Sequence, residues 1–240
     1  MKTGLVTFYH IHHYGAFLQA YATERAVESL GSECEIIDYY VNQNNDLFDG
    51  LTGLGAAAAD AHTALHYGPL KTRYDRFEAF GSQHLAITKH RYANLAELKA
   101  ADPPYDVLLS GSDQIWNPKI FPDGHFDPVF FGAFSQRRKI AYAPSFGIPH
   151  IPESMEEELR NYLSRFSHLS VRERQGQKIV REITGTEAPV VLDPTLLLNR
   201  EQWGAIAAEP PVSGPYILCY CISSPGALEP YIQKLQEATG

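Results

Sequence analysis

The sequence predicts an α/β fold built on a parallel sheet, and three observations carry that reading. Short buried apolar runs alternate with segments whose apolar residues recur at helical spacing. The first alternation closes into a complete βαβ unit: strand 4–8, a Gly-containing turn, helix 16–30, Gly31 and strand 34–40. Small or polar residues then follow the strands directly, at 9–15, 110–117, 144–147 and 172–174. Open α/β sheets bind ligands at these strand ends.

Gly4-Leu5-Val6-Thr7-Phe8 reads as a buried strand, and Phe17, Leu18, Tyr21, Ala22, Ala26, Val27 and Leu30 form an apolar helical face. Gly31 supplies the stop that commonly ends a helix. A strand, crossover helix and second strand of this kind pair in parallel with a right-handed connection. Residues 41–70 are less regular and predict a loop, then a weak helix ending near Gly68-Pro69. Residues 71–80 predict an amphipathic helix carrying Tyr74, Phe77 and Phe80, and 93–100 a short one.

Strands are expected at 105–110, 138–143, 168–171 and 189–192. Helices are expected from Pro152 to Phe166, over 174–184 and over 201–208. Glu156, Glu157 and Glu158 favour the positive end of the first of these. Pro210, Pro211, Gly214 and Pro215 read as a linker at 210–215. It divides a first domain, 1–209, from the strand 216–222 and helix 225–237 that open a second. A lone βα unit cannot bury its own apolar faces. The chain is therefore expected to be the N-terminal part of a longer protein, with the second domain truncated; the alternative is that this last unit docks on the first domain.

The bulk properties narrow the function classes. With 240 residues, 44% of them apolar, the chain can bury a sizeable core. A formal charge of -8, from 20 Lys+Arg against 28 Asp+Glu, disfavours a nucleic-acid surface but allows a local basic pocket for an anion. No apolar run reaches the roughly 18 residues of a membrane span, and the opening lacks a signal-peptide pattern, so a cytoplasmic location is expected. Cys34, Cys219 and Cys221 are too few and too odd for a disulfide framework, and read as ordinary buried thiols.

Four motifs sit at the ligand end of the predicted sheet. His10, His12 and His13 crowd one turn but point apart, so no metal site is expected. Gly15 permits a tight turn and frees amides at the helix start for an anion, or simply allows helix entry. No GxGxxG fingerprint is present, which leaves a dinucleotide poorly supported. Gly111-Ser112-Asp113-Gln114-Ile115-Trp116-Asn117 sets hydrogen-bonding groups after a buried strand. Asp113 could orient a hydroxyl or act as a general base; equally, it could brace its loop through backbone amides. Trp116 either stacks on a sugar or fills the loop core. Arg172 follows a strand and suits a carboxylate or phosphate, with a structural salt bridge as the alternative. Glu173 either pairs with it or faces solvent. Asp193-Pro194 is mainly a turn signal.

Five segments together carry a resemblance: LVTFYHIHHYGAFLQAYAT, YDVLLSGSDQIWNP, KIAYAPSFG, LSVRERQG and APVVLDPTLLL. In this order they resemble the polysaccharide pyruvyl transferase family over most of the chain. The resemblance implies a Rossmann-like parallel sheet within a GT-B-like two-domain architecture. It implies transfer of a pyruvyl group from phosphoenolpyruvate to a sugar, lipid-linked or polymeric glycan acceptor, as a ketal, without cofactor or metal. Arg172 matches the family's arginine thought to help bind the donor, with Gly15, Tyr14, His13, Ser112 and Gln114 as further substrate-binding candidates and Asp113 as the catalytic one. His13 departs from the asparagine that many members carry before Tyr-Gly, a change that either alters the acceptor site or has no consequence. Two other classes remain open: a nucleotide-sugar glycosyltransferase of the same architecture, and a non-catalytic module that binds a glycan or anion. The oligomeric state is not legible.

Overall fold

The computed structural model describes residues 1–39, 67–220, 226 and 228–239. Strands β1 (Lys2–Val6), β2 (Glu33–Ile36), β3 (Val107–Gly111), β4 (Arg138–Tyr142) and β5 (His168–Leu169) form one sheet in the order β2-β1-β3-β4-β5. Every pairing is parallel; Thr3, for instance, stands opposite Cys34 on one side and Val107 on the other. The chain leaves β1 for β2 in one direction, then returns past β1 to β3. That reversal opens a crevice at the C-terminal ends of β1 and β3.

Helix α1 (Tyr14–Ser29) makes the first crossover, packing against β2 and against a short 3₁₀ turn at Pro194–Leu196. It ends at Gly31, whose φ is 81°. Helix α2 (Tyr67–His84) contains Gly68 and Pro69 in its first turn. The expected helix stop there is thus a helix start: the N–H that proline lacks has no intrahelical partner in a first turn anyway. The weak helix expected before it lies outside the described residues. Helix α3 (Leu95–Ala101) is capped by the Asn94 side chain on the Glu97 amide.

Helices α4 (Glu153–Leu163) and α5 (Arg174–Thr184) pack on each other beyond β4 and β5. In α5, Gly176, Ile179, Val180 and Ile183 are buried, the spacing of one helical face. The core between sheet and helices is rich in aromatics, among them Phe8, Trp116, Phe130, Phe131 and Phe146.

Both sheet edges are extended by single bridges. Ile87 and Tyr92 pair with Ile36 and Tyr39, and Val190 pairs with Val171. The strand expected at 189–192 is reduced to that bridge because Val171, beyond the end of β5, is the residue it meets.

Residues Met1–Arg200 and Glu201–Gly240 form two compact units. Helix α6 (Arg200–Gly204) is shorter than the expected 201–208, and helix α7 (Glu229–Thr239) stands near the expected 225–237. Residues 216–220 form no strand, and 221–222 lie outside the described residues. A strand needs a neighbour to take its backbone hydrogen bonds, and among the described residues none is paired with this segment. Cys219 is exposed there, contrary to the buried thiol expected, whereas Cys34 is buried; Cys221 is not described. None of the described helices is long and apolar enough to cross a membrane.

Candidate functional site

The crevice is built from the turns after β1, β3, β4 and β5, and hydrogen bonds tie these together. Gln19 of α1 donates through Nε2 to Thr7 Oγ1 at 2.9 Å and to the Phe8 carbonyl at 2.8 Å. Thr7 Oγ1 in turn donates to the Ser112 carbonyl at 3.3 Å. Ser112, fully buried, turns its hydroxyl to the Ala143 carbonyl at 3.1 Å and to Asp193 Oδ2 at 3.4 Å. Arg172 Nη1 donates to the same Asp193 oxygen at 3.0 Å. One polar seam thus crosses the sheet edge from β1 to beyond β5. Burial, with the Asp193 charge nearby, raises the pKa of the Tyr142 hydroxyl.

The loop after β3 is held in shape by its neighbours. Gly111 ends β3 so close to the Tyr142 carbonyl that a Cβ there would collide with it. Asp113 adopts a left-handed backbone, φ 66°, and its Oδ1 accepts from the Gln114 amide at 2.8 Å. Its own carbonyl accepts from Ser145 N at 2.8 Å. Gln114 Oε1 takes the Asn117 side-chain amide at 2.7 Å. Gly147 lies against both: its φ is 60°, and a Cβ would land on the Gln114 carboxamide. Trp116 belongs to the core, 0% exposed and stacked on Phe131 at 5.1 Å. It cannot present its ring to a sugar in this conformation.

Arg172 therefore has a carboxylate partner, and that partner is Asp193. Glu173 neither pairs with Arg172 nor simply faces solvent, because its Oε1 accepts from the Phe146 amide at 3.1 Å. Asp193 does serve the turn read from the sequence, since its Oδ1 accepts from Thr195 N at 3.0 Å. Its second oxygen joins the seam. No spacing rule could reveal this, because residues 172 and 193 are separated by a whole helix and meet only through the Val171–Val190 bridge.

His13 is the N-cap residue of α1, Tyr14 and Gly15 open the helix, and Tyr14 packs against α2. The Tyr14 ring lies 5.0 Å from Phe77 and under the Arg73 guanidinium at 5.5 Å. Together with Phe17, Leu18, Arg76 and Phe80 these line a pocket of about 590 Å³. The left-handed residue of this turn is His12, with φ 40°, and not Gly15, which is helical; the tight-turn role expected of Gly15 falls to His12. His12 Nε2 lies 2.9 Å from Glu78. Among the described residues no group of three His, Cys, Asp or Glu side chains converges as a metal cage would.

A second polar group at the same sheet edge went unread in the sequence. Asp38, two residues beyond β2, accepts the Tyr9 hydroxyl at 2.5 Å and Arg91 Nε at 3.1 Å through both oxygens. Burial first, then the Asp38 carboxylate, raises the Tyr9 pKa well above a tyrosine's usual value. Burial also pushes the neighbouring His10 imidazole down to about 4. The DYY stretch looked like plain strand, so nothing marked Asp38 as polar core.

In an open parallel α/β sheet ligands bind at this C-terminal edge, and the groups gathered there, rather than the fold, decide the chemistry. The family model for polysaccharide pyruvyl transferase matches residues 13–237, most of the chain, and the chain belongs to that family. No curated protein and no solved structure matches it. Membership makes it part of a transferase family associated with pyruvyl transfer to polysaccharides.

Proposed function

We propose that this protein transfers a pyruvyl group from phosphoenolpyruvate to a pair of hydroxyls on a glycan, forming a cyclic ketal and releasing phosphate. The observation that carries the reading is Arg172, placed at the sheet's ligand edge within the matched family region. Its guanidinium suits the donor's carboxylate or phosphate. The two-domain GT-B architecture and a cytoplasmic site of action belong to the same proposal.

The chemistry balances without a cofactor. Protonation at the donor's methylene makes the adjacent carbon cationic, and an acceptor hydroxyl adds to it. The C–O bond to phosphate breaks, and a second hydroxyl closes the ketal. Of the two hydroxyl protons, one replaces the proton delivered to the methylene and the other leaves with phosphate. Asp113 is the candidate for receiving an acceptor proton: only its Oδ1 is engaged by a bond among the described residues. Ser112 and Gln114 belong to the same loop, and His13, Tyr14 and Gly15 are the remaining substrate-binding candidates. Fixed donors such as Arg172 act best where water is excluded.

Calorimetric titration of phosphoenolpyruvate into the full-length protein tests the reading, with Arg172→Ala as control. Saturable binding that the variant loses is the expected result. Binding of a nucleotide sugar in place of phosphoenolpyruvate would make the protein a glycosyltransferase instead. No binding of either would favour a non-catalytic glycan-binding role.

A further inference from the structure

The Asp193 carboxylate is specified more fully than a turn requires. Capping the 3₁₀ turn uses Oδ1 alone, which accepts from Thr195 N at 3.0 Å and Thr195 Oγ1 at 2.8 Å. Oδ2 is left for Arg172 Nη1 at 3.0 Å and Ser112 Oγ at 3.4 Å. The backbone leading into Asp193 is fastened as well. Val171 N donates to the Pro189 carbonyl at 3.0 Å, Val191 N to the Val171 carbonyl at 2.9 Å, and the Tyr142 hydroxyl to the Leu192 carbonyl at 3.1 Å. Arg172 is therefore held by a carboxylate that cannot wander.

The grip is one-sided. Asp193 engages Nη1 only, and among the described residues Nε and Nη2 make no bond. Those two N–H groups share one edge of the guanidinium, the edge that matches two oxygens of a carboxylate or phosphate. The Arg172 side chain is 28% exposed, so a ligand can reach it.

We infer that Asp193 is a positioning residue: it holds Nη1 and thereby turns the Nε–Nη2 edge of Arg172 toward the anionic donor. This rests on the phosphoenolpyruvate reading above. Two roles for Asp193 predict opposite signs. As a mere counter-charge it repels an anionic ligand, so neutralising it would tighten binding. As a positioning group it aims the arginine, so neutralising it weakens binding despite the lost repulsion.

The test is titration of phosphoenolpyruvate into the full-length protein, comparing wild type with Asp193→Asn and Asp193→Ser, each also melted to check folding. Asparagine keeps the size but loses one acceptor pair; serine keeps an acceptor for the turn and frees Arg172. Both variants are expected to bind at least about tenfold more weakly, the scale that misaligned contacts produce. In an Arg172→Lys background, where no guanidinium edge remains to aim, Asp193→Asn is expected to change affinity less than about twofold, the non-additivity of residues acting as one unit. Unchanged or tighter binding in the single variants overturns the inference, as does a full additive loss in the lysine background. Failure of both variants to fold overturns it too, since Asp193 would then be holding the structure rather than the arginine. If wild type itself does not bind phosphoenolpyruvate, it is the donor assignment that has failed.

Discussion

Replacing Trp116 with alanine separates the two readings of the most unusual loop in the chain. The indole is 0% exposed, stacked on Phe131 at 5.1 Å and an interplanar angle of 7°, with Phe146 at 5.4 Å and Phe166 at 5.6 Å. Its Nε1 donates to the Phe130 carbonyl at 3.3 Å. Truncating a fully buried Trp to alanine costs about 3–5 kcal/mol, transfer and cavity together. At roughly 2–4 °C per kcal/mol for a unit of this size, the melting midpoint should fall by about 6–20 °C. Trp116→Phe keeps an aromatic ring against Phe131 and loses the Nε1 bond. The Phe130 carbonyl still accepts the Ser110 hydroxyl, so this change should cost only about 1 kcal/mol. Scanning calorimetry on the three proteins measures both. A drop of less than about 3 °C for the alanine variant would refute the core assignment, and would return Trp116 to the surface as a sugar platform.

Three further outcomes follow from the same geometry. Burial pushes the Cys34 thiol up to about 12, so iodoacetamide at pH 8 should label exposed Cys219 in the native protein and Cys34 only after unfolding, as read by peptide mass mapping. His10, with its pKa lowered to about 4 by burial, binds its proton more weakly folded than unfolded. Its contribution to stability is complete above about pH 6.5 and is lost as the pH falls toward 4. Wild type should therefore lose stability over that window more steeply than His10→Gln; parallel pH–melting profiles would contradict it. Gly147→Ala forces a side chain onto a backbone at φ 60° and into the Gln114 carboxamide. It should cost about 1–3 kcal/mol in urea unfolding, and a neutral result would mean that the 111–117 loop does not pack on the 144–147 turn as described.

Much of the scaffold was legible because local patterns determine it. Helix α5 occupies the expected residues 174–184, and Gly31 ends α1 as a left-handed glycine. The first crossover unit was readable for the same reason: burial on one face imposes a period on the sequence. The misreadings share an opposite cause. Val190 pairs with a single residue instead of a strand, and 216–220 lacks a strand altogether, because strand formation depends on a neighbour that the segment itself does not encode. The Gly68-Pro69 pair was a boundary signal of ambiguous direction, since proline suits a first turn and disfavours a helix interior.

The candidate site divides along the same line. The sequence by itself determined which polar segments stand at the strand ends, because a parallel α/β chain places its post-strand turns along one edge. It thereby marked Ser112, Asp113, Gln114 and Arg172. Only the tertiary structure decided their partners. Asp193 reaches Arg172 across an intervening helix, Thr7 reaches Ser112 across 105 residues, and Asp38 gathers Tyr9 and Arg91 from separate loops. Hydrogen bonds over such distances are fixed by strand order and register, and these exist only once the sheet has formed.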